Sequence, residues 1–120
     1  MNNRESHDFV RKYFDELFGC HNVDALDEFL VGSYFDDDIG DPNVDHIVNS
    51  KEFLKDLFRE NPTIGVNVLD TITHDNVISS FVEWYVIEND KTRIIRKGIV
   101  ILVVHDQRIH KRHTFIYYEE

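Results

Sequence analysis

The chain has 120 residues, enough for one hydrophobic core and too few for two, so any site must be carved from a single domain spanning 1–120. A hydrophobic fraction of 42% with 30% charged residues argues against disorder. A formal charge of −10 disfavours nucleic acid as a partner, because phosphate binding needs concentrated Lys and Arg and the longest basic stretch is Lys111-Arg112, and anionic membrane surfaces are disfavoured for the same reason.

The single cysteine, Cys20, has no internal disulfide partner, and the opening Met1-Asn2-Asn3-Arg4-Glu5-Ser6 lacks the apolar stretch of a signal peptide. The expected compartment is therefore the cytoplasm. No apolar run approaches the roughly 20 residues needed to cross a bilayer.

Residues 6–18 place Phe9, Val10, Tyr13, Phe14, Leu17 and Phe18 at helical spacing, and Gly19 follows as a stop. Asn22-Val23-Asp24 starts a shorter predicted helix carrying Leu26, Phe29 and Leu30, closed by Gly32. Asp36 to Asp45 is acidic, holds Gly40 and Pro42, and reads as a loop. A third helix is predicted from an Asn49 cap with Glu52 at the capping-box position. Its buried stripe would be Phe53, Leu54, Leu57 and Phe58, and it ends before Pro62.

From Ile64 the period changes to two. Four strands are predicted near 64–73, 77–87, 93–104 and 108–118, separated by His74-Asp75-Asn76, Asn89-Asp90-Lys91 and Asp106-Gln107. Connections this short allow only antiparallel hairpins, which makes the chain α+β, with the helices on one face of a meander. The run Ile99-Val100-Ile101-Leu102-Val103-Val104 is apolar on both faces, so the face away from the helices needs a cover. A second copy of the chain is the expected cover, giving a homodimer through the outer sheet face.

The opening helix followed by Asn22-Val23-Asp24-Ala25-Leu26, then Tyr34-Phe35-Asp36-Asp37, resembles the start of the SnoaL-like branch of the nuclear-transport-factor-2-like superfamily. Gly98 opening an apolar strand, then Asp106-Gln107-Arg108-Ile109 and an aromatic-bearing final strand, is similar to the end of that family. Gln107 stands where the family usually has glycine, which bears on the turn type. The resemblance implies a cone-shaped fold, three N-terminal helices packed on a curved, mainly antiparallel sheet enclosing an apolar pocket, commonly dimeric. Members of the family include ketosteroid isomerases, polyketide cyclases, dehydratases and non-enzymatic binding domains, so fold leaves function open.

Asp41, before Pro42, falls near the place where steroid-isomerase-like members carry a proton-moving carboxylate, whereas a solvated turn aspartate is the plainer reading. The matching oxyanion position falls on Val100, which donates no hydrogen bond. The resemblance also places a histidine after the acidic loop and another on the final strand, which points to His46 and His113. Strand parity groups His113 with Ile109, Phe115 and Tyr117 on an apolar face toward the helices. Either histidine could relay a proton or could be a hydrogen-bonded core residue.

Glu83 shares a face with Phe81 and Tyr85. Family register points that face inward, whereas apolarity favours Ile78, Val82, Trp84 and Val86 as the core face. Tyr13 could offer its hydroxyl from the first helix, at a spacing that also suits the core. The expected pocket thus takes Asp41, Glu83 and His113 as acid-base groups, and Tyr13, His46, Phe53, Phe81, Val100 and Phe115 as lining.

Asp41, Asn43, Asp45, Val48 and Glu52 fit an EF-hand-like spacing, but His46 replaces the required glycine and no helix leads in. No Cys/His spacing suggests zinc, so neither a metal nor a cofactor is expected. The expected ligand is a small hydrophobic molecule, held without catalysis or acted on by proton transfer beside a carbonyl.

Overall fold

The computed structural model describes all 120 residues, Met1–Glu120. The first helix, α1, spans Asn3–Phe18, three residues longer at its start than the apolar period alone requires. Asn2 caps it, accepting from the Glu5 amide at 2.8 Å while Glu5 accepts from the Asn2 amide, so a reciprocal capping box fixes the start. Its buried stripe is Val10, Tyr13, Phe14, Leu17 and Phe18. Gly19 does end it, although with φ −61 the reason is space: a Cβ there would lie 2.3 Å from the Asp15 carbonyl oxygen.

The second predicted helix is cut short. A 3-10 turn at Val23–Ala25 leads into a single turn, α2, at Leu26–Phe29, and the chain then extends as strand β1, Leu30–Asp36, which runs through Gly32. The third helix, α3, spans His46–Glu60 and is capped by Asp45, not Asn49. The Asp45 carboxylate accepts from the amides of Ile47 and Val48, both at 3.0 Å. The helix thus starts four residues earlier than expected, and the expected stripe is only partly buried: Leu54 and Phe58 are buried, Leu57 is half-buried, and Phe53 is 60% exposed.

The remaining strands are β2 (Gly65–His74), β3 (Val77–Glu88), β4 (Lys91–His105) and β5 (Arg108–Glu119). They form the expected antiparallel meander, and β1 joins it parallel to β5, giving the order β1-β5-β4-β3-β2. Both long hairpins turn through two residues in the left-handed region, Asn89-Asp90 and Asp106-Gln107. Gln107 (φ 62) therefore bears the backbone conformation that glycine adopts freely, as two-residue type I′ turns demand.

Each sheet face is decided by register. Along β3 the even residues Ile78, Ser80, Val82, Trp84 and Val86 are buried under the helices, and Phe81, Glu83 and Tyr85 point to the other side. Apolarity reads this strand correctly; the family register would have reversed it. On β5 a bulge breaks the alternation. Ile109 pairs with Val104 but Lys111 pairs with Val103, leaving His110 as the extra residue. Ile109 accordingly faces the core, and past the bulge Arg112 and Thr114 face inward opposite Leu102 and Val100. His113 and Phe115 face outward opposite Ile101 and Ile99. The core is one cluster of 21 buried residues joining α1, α3 and the inner sheet face.

Candidate functional site

The inner sheet face is apolar except at the Thr71–Ser80 pair, whose hydroxyls lie 3.3 Å apart, and where β5 and β1 meet. Asp36 and Arg112 are partners across that parallel pair. The guanidinium lies under α1, where Nη1 donates to the Tyr13 hydroxyl at 3.3 Å and Nε donates to Thr114 Oγ1 at 3.2 Å. No carboxylate forms a direct ion pair with it, Nη2 has no partner within the chain, and the residue keeps a partly exposed edge. The Tyr34 hydroxyl donates to Asp36 Oδ2 at 3.2 Å, and Asp36 Oδ1 accepts from the Asp38 amide at 2.9 Å.

The electrostatics follow from burial. Desolvation pushes the Tyr13 phenol above its ordinary value, against the opposing pull of Arg112. Tyr34 is driven well above the phenol range by the same cause. Desolvation opposes the Arg112 charge, but Tyr13, Tyr34, Asp36 and Asp38 outweigh it, and the guanidinium is held above its usual value. The result is a fixed cation beside two neutral phenols and within reach of the Asp36 and Asp38 charges, with one guanidinium nitrogen free to meet an oxygen carrying partial or full negative charge.

The expected site residues divide between the two sheet faces and the solvent. Tyr13 and Val100 are inside, at 1% and 0% exposure, Tyr13 as part of the polar cluster and Val100 as packed core. His46 is buried, its ring stacked on Phe35 at 4.5 Å, and both ring nitrogens are committed to the backbone. Nδ1 accepts from the Asp36 amide at 2.8 Å and Nε2 donates to the Asp41 carbonyl at 2.7 Å. It pins the acidic loop and has no nitrogen left to relay a proton.

Asp41 is exposed, its carboxylate accepting from the Asn43 amide at 2.9 Å in a local turn, so the desolvation expected of a base is absent. Phe53 faces solvent. Phe81 and Glu83 lie on the outer sheet face, where Glu83 accepts from Asn67 Nδ2 at 3.2 Å. His113 and Phe115 are there too, ring edge against ring face at 4.4 Å, with His113 Nδ1 3.4 Å from Asp38 Oδ1. Parity counted back from Ile109 failed because of the His110 bulge.

Sequence reading missed Arg112, Tyr34 and Asp36 as site residues. The available signal was an arginine inside a β-branched and aromatic strand, and the alternation of Tyr34 with Asp36. No cluster of three or more His, Cys, Asp or Glu side chains is placed to hold a metal ion. The EF-hand-like spacing dissolves because Asp45 caps α3 and Glu52 lies within the helix. No helix is long and apolar enough to cross a membrane.

No protein-family model and no curated protein matches this chain. Solved structures do. IdmH, a candidate polyketide cyclase from Streptomyces antibioticus, superposes with a TM-score of 0.72 at 13% identity, covering 93% of this chain and 91% of IdmH. A candidate SnoaL-like polyketide cyclase from Jannaschia sp. CCS1 matches with a TM-score of 0.71 at 14% identity, covering 96% and 87%. The chain has the SnoaL-like fold. TsrD from Streptomyces laurentii shares this SnoaL-like fold with a TM-score of 0.72 at 11% identity, covering 98% and 92%. Identities this low carry the fold alone, and the sequence resemblance to the SnoaL-like branch agrees with it.

Proposed function

We propose that this chain binds a small, mainly hydrophobic molecule carrying a carbonyl or anionic oxygen, with Arg112 and Tyr13 as the polar end of the site. The observation that carries this reading is the Arg112 guanidinium on the inner sheet face, with Nη2 uncommitted and no carboxylate within ion-pair distance, although Asp36 and Asp38 act on it through space. A guanidinium N–H left without a partner at the edge of the core is satisfied by an oxygen acceptor on a ligand. The likeness of fold to candidate polyketide cyclases supports a ligand of the polyketide type. Titration with an anionic naphthalene-sulfonate dye tests it: wild type binds, Arg112→Leu loses at least tenfold in affinity, and a neutral naphthalene is held equally by both. Equal dye affinity in Arg112→Leu overturns the reading.

A catalytic version has one observation in its favour. Tyr13 accepts a hydrogen bond from Arg112, which polarises its own O–H toward a developing enolate, and Asp36 supplies a carboxylate in the same cluster. Asp36 would take a proton from the carbon beside a carbonyl, Tyr13 would donate to the resulting enolate oxygen, and the proton would return to another carbon. Solvent-deuterium exchange into an enolisable ligand, lost in Asp36→Asn with binding retained, separates the enzyme from the binding module.

The outer sheet face supports the proposed homodimer. Phe81, Ile99, Ile101 and Val103 are half-buried there with no helix above them, and Phe115 is 54% exposed. Glu83 faces Lys97 across β3 and β4, and Lys111 beside Val103 lies 3.5 Å from the Asp37 carboxylate, so the same surface carries both signs and can meet its own two-fold copy. Analytical ultracentrifugation should find a dimer that Val103→Glu shifts to monomer. A monomeric wild type ends this part of the proposal.

A further inference from the structure

A concavity lies away from the Arg112 cluster. It is a half-open cleft of about 220 Å³ between the C-terminal end of α1 and the first residues of β2, walled by Phe14 and Phe18 and edged by Asp15, His21, Gly65 and Tyr85. None of these residues belongs to the site described above.

Three features mark it as built. His21 holds φ 48, a conformation that a residue with a side chain rarely takes, and its ring is fixed on both sides. The imidazole stacks on Phe58 at 4.1 Å with 9° between planes, and Nε2 lies 2.9 Å from the Ile64 carbonyl oxygen. A carbonyl only accepts, so Nε2 carries the hydrogen and Nδ1 of the neutral ring presents a lone pair with no partner in the chain. At Gly65, a Cβ would fall 2.4 Å from the ring and hydroxyl of Tyr85, so that tyrosine crosses β2 through a gap only glycine leaves. Asp15 is exposed at the rim and forms no ion pair.

We infer that this cleft is a binding site for a small arylalkyl ammonium ion. Its free polar groups are two acceptors, His21 Nδ1 and the Asp15 carboxylate, and the Tyr85 hydroxyl, which can accept or donate. The complementary ligand therefore donates N–H groups and carries positive charge. Phe14 and Phe18, 1% and 6% exposed, give the cleft a small apolar floor, and an aromatic ring nearby attracts a cation. A formal charge of −10 raises the local concentration of cations and lowers that of anions. The volume lies below the roughly 300–1,000 Å³ of drug-sized pockets, which restricts the occupant to a single ring with a short amine arm.

The test is an NMR titration of the full chain at pH 8, above the ordinary imidazole range of about 6.5, with 2-phenylethylammonium as probe. The expected result is saturable shifts confined to residues 14–21, 62–66 and Tyr85, with phenylacetate and 2-phenylethanol at least tenfold weaker. Asp15→Asn, at an exposed position, should weaken the amine at least tenfold without moving the melting temperature. Gly65→Ala should displace Tyr85 and abolish the shifts; where it unfolds the chain, the Asp15→Asn arm decides alone. Absent or non-saturable shifts, equal affinity for phenylacetate, or an unchanged affinity in Asp15→Asn overturns the inference.

Discussion

Arg112 on β5 donates to the Tyr13 hydroxyl on α1 across 99 residues of sequence, and this is the contact that turns two unremarked side chains into a site. It exists because the His110 bulge turns Arg112 inward at the height where α1 presents Tyr13. A guanidinium in such a position stabilises the fold less than it constrains it, since its desolvation opposes the gain from its partners.

Tyr13→Phe keeps the ring packed against Phe14 and Phe29 but strands one Arg112 N–H, and should cost roughly 1–3 kcal/mol. Arg112→Leu in the same background should recover part of that loss, giving a coupling of about 0.5–3 kcal/mol in a denaturant double-mutant cycle. Strict additivity would mean that the two side chains do not interact.

His46→Phe preserves the stack on Phe35 while leaving the Asp36 amide and the Asp41 carbonyl without their partner. A loss of roughly 1–3 kcal/mol is expected, with the added signature of faster amide exchange at Asp36. Unchanged exchange there would remove His46 from its role as the pin of the acidic loop.

The two phenylalanines of α3 should behave oppositely. Phe58, buried against Phe18 and His21, should cost roughly 3–5 kcal/mol on truncation to alanine. Phe53→Ala should stay within about 0.5 kcal/mol, since its ring is mostly in solvent. Thermal melts of the two variants compare them directly.

Alkaline titration reports on the buried phenols. Tyr13 and Tyr34 are raised in the folded chain, whereas in the unfolded chain they ionise near pH 10. The stability they contribute as neutral groups is complete below about pH 10 and lost as pH rises beyond it toward their folded values. Absorbance at 295 nm should therefore show part of the tyrosine ionisation coinciding with loss of near-ultraviolet dichroism. Tyr34→Phe should shift alkaline unfolding to higher pH; an unshifted transition would place Tyr34 outside the linkage.

The sequence by itself determined what is local. The helical period of residues 6–18, the switch to a period of two at Ile64 and the three short turns settle the α+β class and the order of the meander. On β3, apolar groups stand on both faces, and the expectation that Glu83 points inward gave way to Ile78, Val82, Trp84 and Val86 as the core side. Tertiary structure decided the rest. Strand β1 was hidden because Gly32 and Ser33 interrupt its apolar pattern, and its pairing to β5 lies nearly eighty residues away in the chain, with only the β5 backbone to complete it. The cap of α3 lies four residues earlier than expected, at Asp45, because its carboxylate reaches two free amides, and packing against Phe18 and His21 puts Phe58, not Phe53, in the core. One extra residue at His110 exchanged His113 for Arg112 on the inner face. A bulge inverts parity for every residue beyond it, and its position depends on the register between two strands, which no periodicity within either strand contains.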